Sequence, residues 1–374
     1  MPERTLTNRQ LNRTHLRRQH LLERSSMSTG DMLREIVGVQ AQEVKDPYLG
    51  LWCRIANFEH EQLASMLLDR SAVRASLMRG TIHLVTAEDY EMLFPVTYAL
   101  HLRAVHSVAS AKLVPPEHHA AITAQARELL SNEPLTAAQI GEKLADFWPG
   151  LEARSLSQIV RFLLPLIQTP PRGVWGAKNS SRPAWTMPDS WLGVEILEKV
   201  APPHEMIRRY LNAFGPATLP DITAWSGVTN LKTPLMELGE EVVTYKDESG
   251  KVLYDLAGLE IVPEDAAAPV RFLPGFDNAL LGHKNRTRII SDEHRAIIGT
   301  PNGMFASTFL VDGFVAGVWR VMNEQLQLVA FDKLSKLDVR EVESEAERLV
   351  PFWTGAELPV VWVDPWKLPG KSLR

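Results

Sequence analysis

A unit of about 60 to 80 residues, built as one helix, two shorter helices and a strand pair, recurs along the chain and limits it to an array of similar modules rather than one large fold. The middle copy shows it best. Pro116 to Leu130 predicts a helix, with Pro116 suited to the first turn. Thr136 caps a second over Ala137 to Phe147, and Ser155 caps a third over Leu156 to Ile167, whose Ile159, Phe162, Leu163 and Leu166 follow helical spacing. A hairpin is expected next, from Thr169 to Ala177, through the turn-rich 178–183, to Ala184–Met187.

The third copy repeats the plan with helices over Pro203 to Phe214, Leu219 to Ser226 and Asn230 to Leu238. Its hairpin joins Val242–Tyr245 to Val252–Asp255 across Asp247-Glu-Ser-Gly250. The first copy is less regular. Helices are expected over Leu6 to Glu23, Asp31 to Val39 behind a Thr29 cap, and Glu61 to Asp69. A strand pair follows within Leu77 to Thr86, turning at Arg79-Gly80, and then a long helix, Glu88 to His106. From about Val270 the pattern becomes strand-like, with Val270–Leu273, Gly303–Val311, Phe314–Arg320 and Gln325–Phe331, and Asp312-Gly313 marks a hairpin turn. Glu264 to Pro269 reads as a linker, Lys336 to Val350 as an acidic helix and 365–374 as a loose tail. The expected class is α+β. Three tandem winged helix-turn-helix modules occupy 1–112, 113–200 and 201–262, and a β-rich domain occupies 270–374.

Charge and cysteine content narrow the function. The 374 residues carry 40 Lys+Arg against 45 Asp+Glu, a net charge of −5, which by itself argues against a nucleic-acid partner. The distribution argues for one. Arg9, Arg13 and Arg17 share a face at helical spacing, His283 to Arg288 forms a second basic cluster, and Arg172, Lys178 and Arg182 a third. A lone Cys53 closes no intrachain disulfide and suggests no Cys-based zinc site, so a reduced, cytoplasmic setting is expected. No apolar stretch reaches membrane-spanning length. Phosphate-binding, dinucleotide, zinc-protease and serine-hydrolase signatures are missing, and the eleven His show no metal-ligand spacing, so no metal or organic cofactor is expected.

The stretch Gly38-Val-Gln-Ala-Gln-Glu-Val-Lys-Asp-Pro-Tyr48 is the most informative. Gln40 and Gln42 would point about 200° apart on a helix, so they converge on one ligand only where the backbone is extended or turning. Gly38 and Pro47 favour that; two surface amides at a frayed helix end are the bland alternative.

Gln40-Ala41-Gln42, Asp46 to Trp52 and Met78-Arg-Gly-Thr-Ile-His-Leu84 closely resemble motifs of the bacterial winged-helix DNA glycosylases that unhook interstrand crosslinks, the AlkZ/YcaQ type. Pro170 to Gly176, Leu273 to Asp277, Leu280-Leu-Gly282 and Val311 to Phe314 extend the similarity over nearly the whole chain. The resemblance implies a C-shaped DNA-binding channel built from three winged helices and the β domain. It also makes Gln40 and Gln42 the matches to a catalytic Gln-hydrophobic-Gln motif.

The implied reaction is hydrolysis of the N-glycosidic bond of an alkylated purine, by a monofunctional glycosylase acting as a monomer on duplex DNA, with interstrand crosslinks as an extension. Glycosidic cleavage ordinarily uses two carboxyl groups. An N7- or N3-alkylated purine is already cationic and leaves unprotonated, so amides need only place a water and stabilise the developing sugar cation. Glu43 and Asp46 are nearby candidates for a stronger base. Expected DNA contacts are Arg13, Arg17, Arg79, Thr81, His83, Arg172, Lys178, Lys246, Arg286 and Arg288, though for Arg79, Thr81 and His83 a turn-supporting or core role competes. Trp175 and Trp185 read as hairpin core.

Two other classes are open to such a chain. A winged-helix transcription regulator would read base edges from polar recognition helices, yet Asn230–Leu238 offers only Lys232, and Leu156–Ile167 only Arg161. A drug-sequestering resistance protein would bind the alkylating agent without releasing an abasic site.

Overall fold

The computed structural model describes residues 4–178, 182–196, 198–299 and 305–364, with the backbone of 367–368 and 371–372. The chain is α+β. It opens with β1 (Thr5–Leu6) and α1 (Asn8–Arg18), whose N-terminus is closed by a reciprocal Thr7–Gln10 capping box. Next come α2 (Thr29–Glu35), β2 (Val39–Gln40), α3 (Asp46–Trp52), α4 (His60–Leu68), β3 (Ala72–Ser76), β4 (Ile82–Thr86) and the long α5 (Ala87–Ser107). The expected second helix is shorter than its periodicity suggested. Val37 and Gly38 both take left-handed backbone, turning the chain out of α2 and into β2. A side chain at Gly38 would strike Val85 Cγ1 at 2.4 Å and Leu84 O at 2.7 Å, so this turn requires glycine.

The middle repeat is α6 (His119–Asn132), β5 (Leu135–Thr136), α7 (Ala137–Ala145), α8 (Ala153–Leu163), β6 (Ile167–Gln168) and β7 (Ala184–Thr186). Thr136 caps α7 as expected, whereas α8 starts three residues earlier than expected and ends before Pro165. Part of the expected turn, 179–181, lies outside the described residues. After α9 (Pro188–Leu192), the third repeat is α10 (His204–Phe214), α11 (Leu219–Ser226), α12 (Lys232–Glu237), β8 (Val242–Asp247) and β9 (Val252–Leu256).

The C-terminal part contains β10 (Arg271–Leu273), α13 (Asn278–Leu281), α14 (Asp292–Ile298), β11 (Thr308–Val311), β12 (Phe314–Met322), β13 (Gln325–Ala330), α15 (Lys336–Thr354) and β14 (Val360–Trp362). Its sheet runs β10-β11-β12-β13-β14, with α15 packed against it. The expected strand from Gly303 is described only from Phe305 and becomes β11 at Thr308; the expected tail from 365 lies largely outside the described residues.

The repeats are tied together rather than strung apart. The hairpins of the first two share one sheet, β2-β4-β3-β6-β7-β5, through the pairing of Arg74 with Gln168 and Ala75 with Ile167. β1 pairs in parallel with β8, attaching the N-terminus to the third hairpin. One apolar core joins α2–α4 to the C-terminal sheet, a second joins α5 to α10 and α11, and a third fills the middle repeat.

Polar side chains fasten α1 at the junction. Asn12 donates to Arg288 O and Gly313 O, Gln19 to Ala213 O, and Arg18 forms a bidentate pair with Asp255 at 2.7 and 2.8 Å. Burying these groups is tolerated because each finds a partner. Among the described residues no helix is long and apolar enough to cross a membrane.

Candidate active site

β2 pairs antiparallel with β4, setting Val39 opposite Leu84 and Gln40 opposite His83. One more backbone hydrogen bond follows it. The Ala41 N–H donates to Ile82 O at 2.7 Å, and Ala41 O accepts from Arg74 Nη2 at 2.7 Å. The strand ends at Gln40, Ala41 is fully buried, and Gln42 stands in the bend that follows, so the backbone leaves Gln40 by turning rather than as a helix. Gln40 is 6% exposed, whereas Gln42 lies open.

Arg79 holds Gln40. Its backbone is left-handed, φ +57°, at the turn between β3 and β4, and its guanidinium donates to Gln40 Oε1 at 2.7 Å and Trp225 O at 2.5 Å. A weaker contact at 3.4 Å reaches His83 Nε2, which is free to accept because His83 Nδ1 donates to Thr81 O at 3.0 Å. Burial, and then the charge of Arg79, push His83 down to about 3, so it is neutral. His83 was expected to touch DNA; at 2% exposure it supports Arg79 instead. Arg79 itself, also an expected DNA contact, spends both terminal nitrogens on protein acceptors. The Thr81 hydroxyl donates to Met78 O at 3.1 Å and steadies the turn.

The nearest charges acting on Arg79 are themselves basic. Burial, then the charge of Arg286, push Arg79 down to about 10, and burial with Arg295 does the same to Arg286. The Arg286 guanidinium lies over the Phe305 ring at 5.2 Å, and that ring meets Phe276 edge-on at 6.1 Å. The Phe276 N–H is donated to the Asp46 carboxylate at the far end of the loop. Among the described residues neither Arg79 nor Arg286 pairs with a carboxylate. Asp46 is half-buried, and burial followed by Glu43 and Asp277 pushes it up to about 7. Asp277 is committed elsewhere, in a buried bidentate pair with Arg54 at 2.8 Å.

The other expected DNA contacts divide. Arg13 is fully buried, bonded to Ala266 O and paired with Asp312, and Arg288 is 5% exposed with Pro216 O as acceptor; both brace the fold and cannot reach a phosphate from there. Their spacing on α1 and in 283–288 marked charge, but packing of α1 against α10 and the Asp312–Gly313 turn drew Arg13, the middle residue of the stripe, inward. Arg17 remains exposed, 3.7 Å from Glu23. Lys178 is exposed, and Arg172 and Lys246 are half-buried on the second and third hairpins. None of these four is brought to the glutamines by a contact described above. Trp185 is buried as expected, while Trp175 stacks on His60 at 3.9 Å in an aromatic cluster under Lys45.

Two supports escaped the sequence reading: Arg74, which pins the Ala41 carbonyl, and Phe305, which seats Arg286. An arginine inside the apolar run Ala72–Ser76 was the available signal for the first. A cavity of about 940 Å³ lies between α11, the β8–β9 hairpin and 284–288, with Arg295 in its wall, and neither glutamine nor Arg79 lines it. Among the described residues no group of three or more His, Cys, Asp or Glu could hold a metal.

The α+β fold agrees with the comparison to known proteins. The family model described as DNA glycosylase AlkZ-like matches residues 33–352, and the chain belongs to that family. The interstrand DNA cross-link repair glycosylase of Streptomyces sahachiroi is 27% identical over 368 residues, spanning 94% of this chain and 98% of the relative. The solved structure of Streptomyces sahachiroi DNA glycosylase AlkZ superposes with a TM-score of 0.81 at 25% identity, covering 96% of this chain and 100% of that one.

Proposed function

We propose that this protein is a monofunctional DNA glycosylase that hydrolyses the N-glycosidic bond of cationic N7- or N3-alkylated purines in duplex DNA, and that interstrand crosslinks at such positions are within its range. The observation that carries the reading is the Gln40–Arg79 contact beside an open Gln42. Arg79 fixes the Gln40 carboxamide with one oxygen lone pair, leaving the second lone pair and the amide N–H groups to orient a water. The exposed Gln42 carbonyl, opposed by no guanidinium among the described residues, is the dipole we assign to the developing sugar cation. An adduct that carries positive charge before the reaction begins makes a carboxylic acid unnecessary.

In this reading three winged-helix modules, 1–112, 113–200 and 201–262, with the β-rich 270–374 domain, form a C-shaped channel that a monomer closes on DNA in the cytoplasm. Arg286 meets a phosphate near the lesion, and Arg17, Arg172, Lys178 and Lys246 meet the backbone further out. Incubation with duplex containing N7-methylguanine, followed by hot alkali, reads the abasic product as strand breaks. Breaks with the parental protein, and their loss with Gln42→Ala, are expected. A protein that makes none on any alkylated duplex is not this enzyme.

A further inference from the structure

Carboxamides that place a water and face a sugar cation act only where the backbone holds them still, because misplacement by about 1 Å costs much of the rate. Gln42 stands in an exposed bend, and the contacts on either side of it lead to the second repeat. We propose that Arg74 and Lys45 are positioning residues for the glutamine pair, fastening the bend before and after Gln42 to the 168–175 segment of the second hairpin. This rests on the glycosylase reading above and adds to it the part of the molecule that sets the geometry of the pair.

Before Gln42, the fastening is a fork. Arg74 on β3 stands opposite Gln168 on β6, across the junction of the first two repeats. Its Nη2 donates to Ala41 O at 2.7 Å and its Nε to Gln168 Oε1 at 3.2 Å, so one planar group joins the peptide between the two glutamines to the second repeat. A side chain at Gly173 would meet Arg74 Cδ at 2.7 Å, and glycine there, at φ +93°, lets the segment close over the arginine. Arg74 is 1% exposed, and among the described residues no carboxylate pairs with it. A neutral side chain would fill that space without burying a charge, so packing alone does not account for an arginine.

After Gln42, the fastening is aromatic. The Lys45 ammonium lies 4.6 Å from the centre of the Trp175 ring and 5.4 Å from that of Trp353 on α15. Lys45 is exposed, so its place over the two indoles is set by the ring faces and not by enclosure. Trp175 is fixed in turn: its backbone N–H donates to Tyr48 Oη at 2.9 Å, and that hydroxyl donates to Gly173 O at 2.8 Å. Ala41 and Lys45 are separated by roughly 14 Å of chain at most, short enough that holding both restricts Gln42 between them.

Single-turnover release of N7-methylguanine from duplex DNA at saturating protein, with duplex affinity measured at several salt concentrations, tests this for the parental protein, Arg74→Lys, Gln168→Met, Lys45→Met and Lys45→Arg. Lysine at 74 reaches one acceptor and not both, so R74K is expected to slow release by roughly 10- to 30-fold, and Q168M, which removes only the brace, by roughly 3- to 10-fold. K45M is expected to slow it by roughly 3- to 10-fold, and K45R, still a cation over the indoles, recovers most of the parental rate. Affinity stays within about threefold and the salt slope is unchanged. In a Gln42→Ala background the R74K and K45M penalties shrink to about threefold or less, whereas a general loss of structure slows both backgrounds alike. The Lys45 variants change an exposed side chain and report even where the buried substitutions impair folding. A parental rate for a folded R74K or for K45M overturns the inference, and so do penalties undiminished by Gln42→Ala. Weaker binding by K45M with a shallower salt slope at the parental saturating rate also overturns it, making Lys45 a phosphate ligand. A parental protein that releases no base overturns the glycosylase reading instead.

Discussion

The Arg79 guanidinium donates to the Gln40 carboxamide oxygen at 2.7 Å, tying the turn between β3 and β4 to the strand that carries the glutamine pair. The same guanidinium reaches Trp225 O at 2.5 Å, so one side chain sets the amide against both the first hairpin and α11. Lysine cannot serve two such acceptors with a planar fork. Arg79→Lys is therefore expected to slow base release at saturating enzyme by roughly 10- to 100-fold, with duplex affinity within about threefold. Single-turnover rates beside a binding isotherm check it; an unchanged saturating rate with weakened binding would make Arg79 a phosphate ligand instead.

Arg286 and Arg13 should separate DNA contact from structural bracing. Arg286→Ala is expected to weaken duplex binding and to reduce the slope of log affinity against log salt by about 1, as removal of one phosphate contact does. Arg13→Met leaves the Ala266 and Asp312 carbonyls without this donor, while Arg9 still pairs with the Asp312 carboxylate, and should cost about 1–3 kcal/mol of stability while keeping that slope. Salt titrations and thermal melts of the two variants check both halves, and a lower slope for Arg13→Met would return it to the DNA face.

Acid sensitivity follows from the buried imidazoles. His15, His83, His101 and His283 are all pushed below the ordinary histidine range by burial, His83 to about 3 and His101 to about 4. Below pH 6.5 the unfolded chain binds protons that the folded chain refuses, so stability rises with pH from about 4 to about 6.5 and these groups add nothing further above it. Each adds a slope of about 1.4 kcal/mol per pH unit within its window. Denaturant midpoints at pH 5, 6 and 7.5 check this, and equal midpoints at pH 5 and 7.5 would contradict it.

Asp46 has the opposite sign. A carboxyl raised to about 7 holds its proton in the folded state across a window where the unfolded chain has lost it, so stability falls as pH rises from about 4 to about 7. Asp46→Asn is accordingly expected to melt higher than the parent at pH 8, by a smaller margin at pH 5, and at the same temperature only near pH 4 and below, by calorimetry. A lower melting temperature at pH 8 would show the ionised carboxylate to be stabilising.

Much of the fold was legible because it is written in local signals. Thr136 as a cap, the Asp247–Gly250 turn and the Asp312-Gly313 turn each act within a few residues, and each appears where the sequence set it. The turn ahead of the glutamines was legible for the same reason, since their spacing asked for an extended or turning backbone and Gly38 supplied the turn. Long-range choices were not. Nothing near Arg13 in sequence announces Asp312, and nothing near Thr5 announces Lys246, its partner in the parallel β1–β8 pairing. The basic stripe on α1 was therefore assigned to solvent and DNA when packing makes its middle residue a fastener. Short helices such as α3 and α14 were missed because a run of seven residues has too few turns to show a period.

The most direct measurement of the central claim is the single-turnover rate of purine release from N7-methylguanine duplex by Gln40→Ala, Gln42→Ala and the double variant, with duplex affinity measured alongside. The account predicts that each single variant loses roughly 100-fold or more in rate, that the double variant loses much less than the product of the two because the pair acts as one unit, and that affinity is retained. Release at the parental rate by both single variants would contradict it.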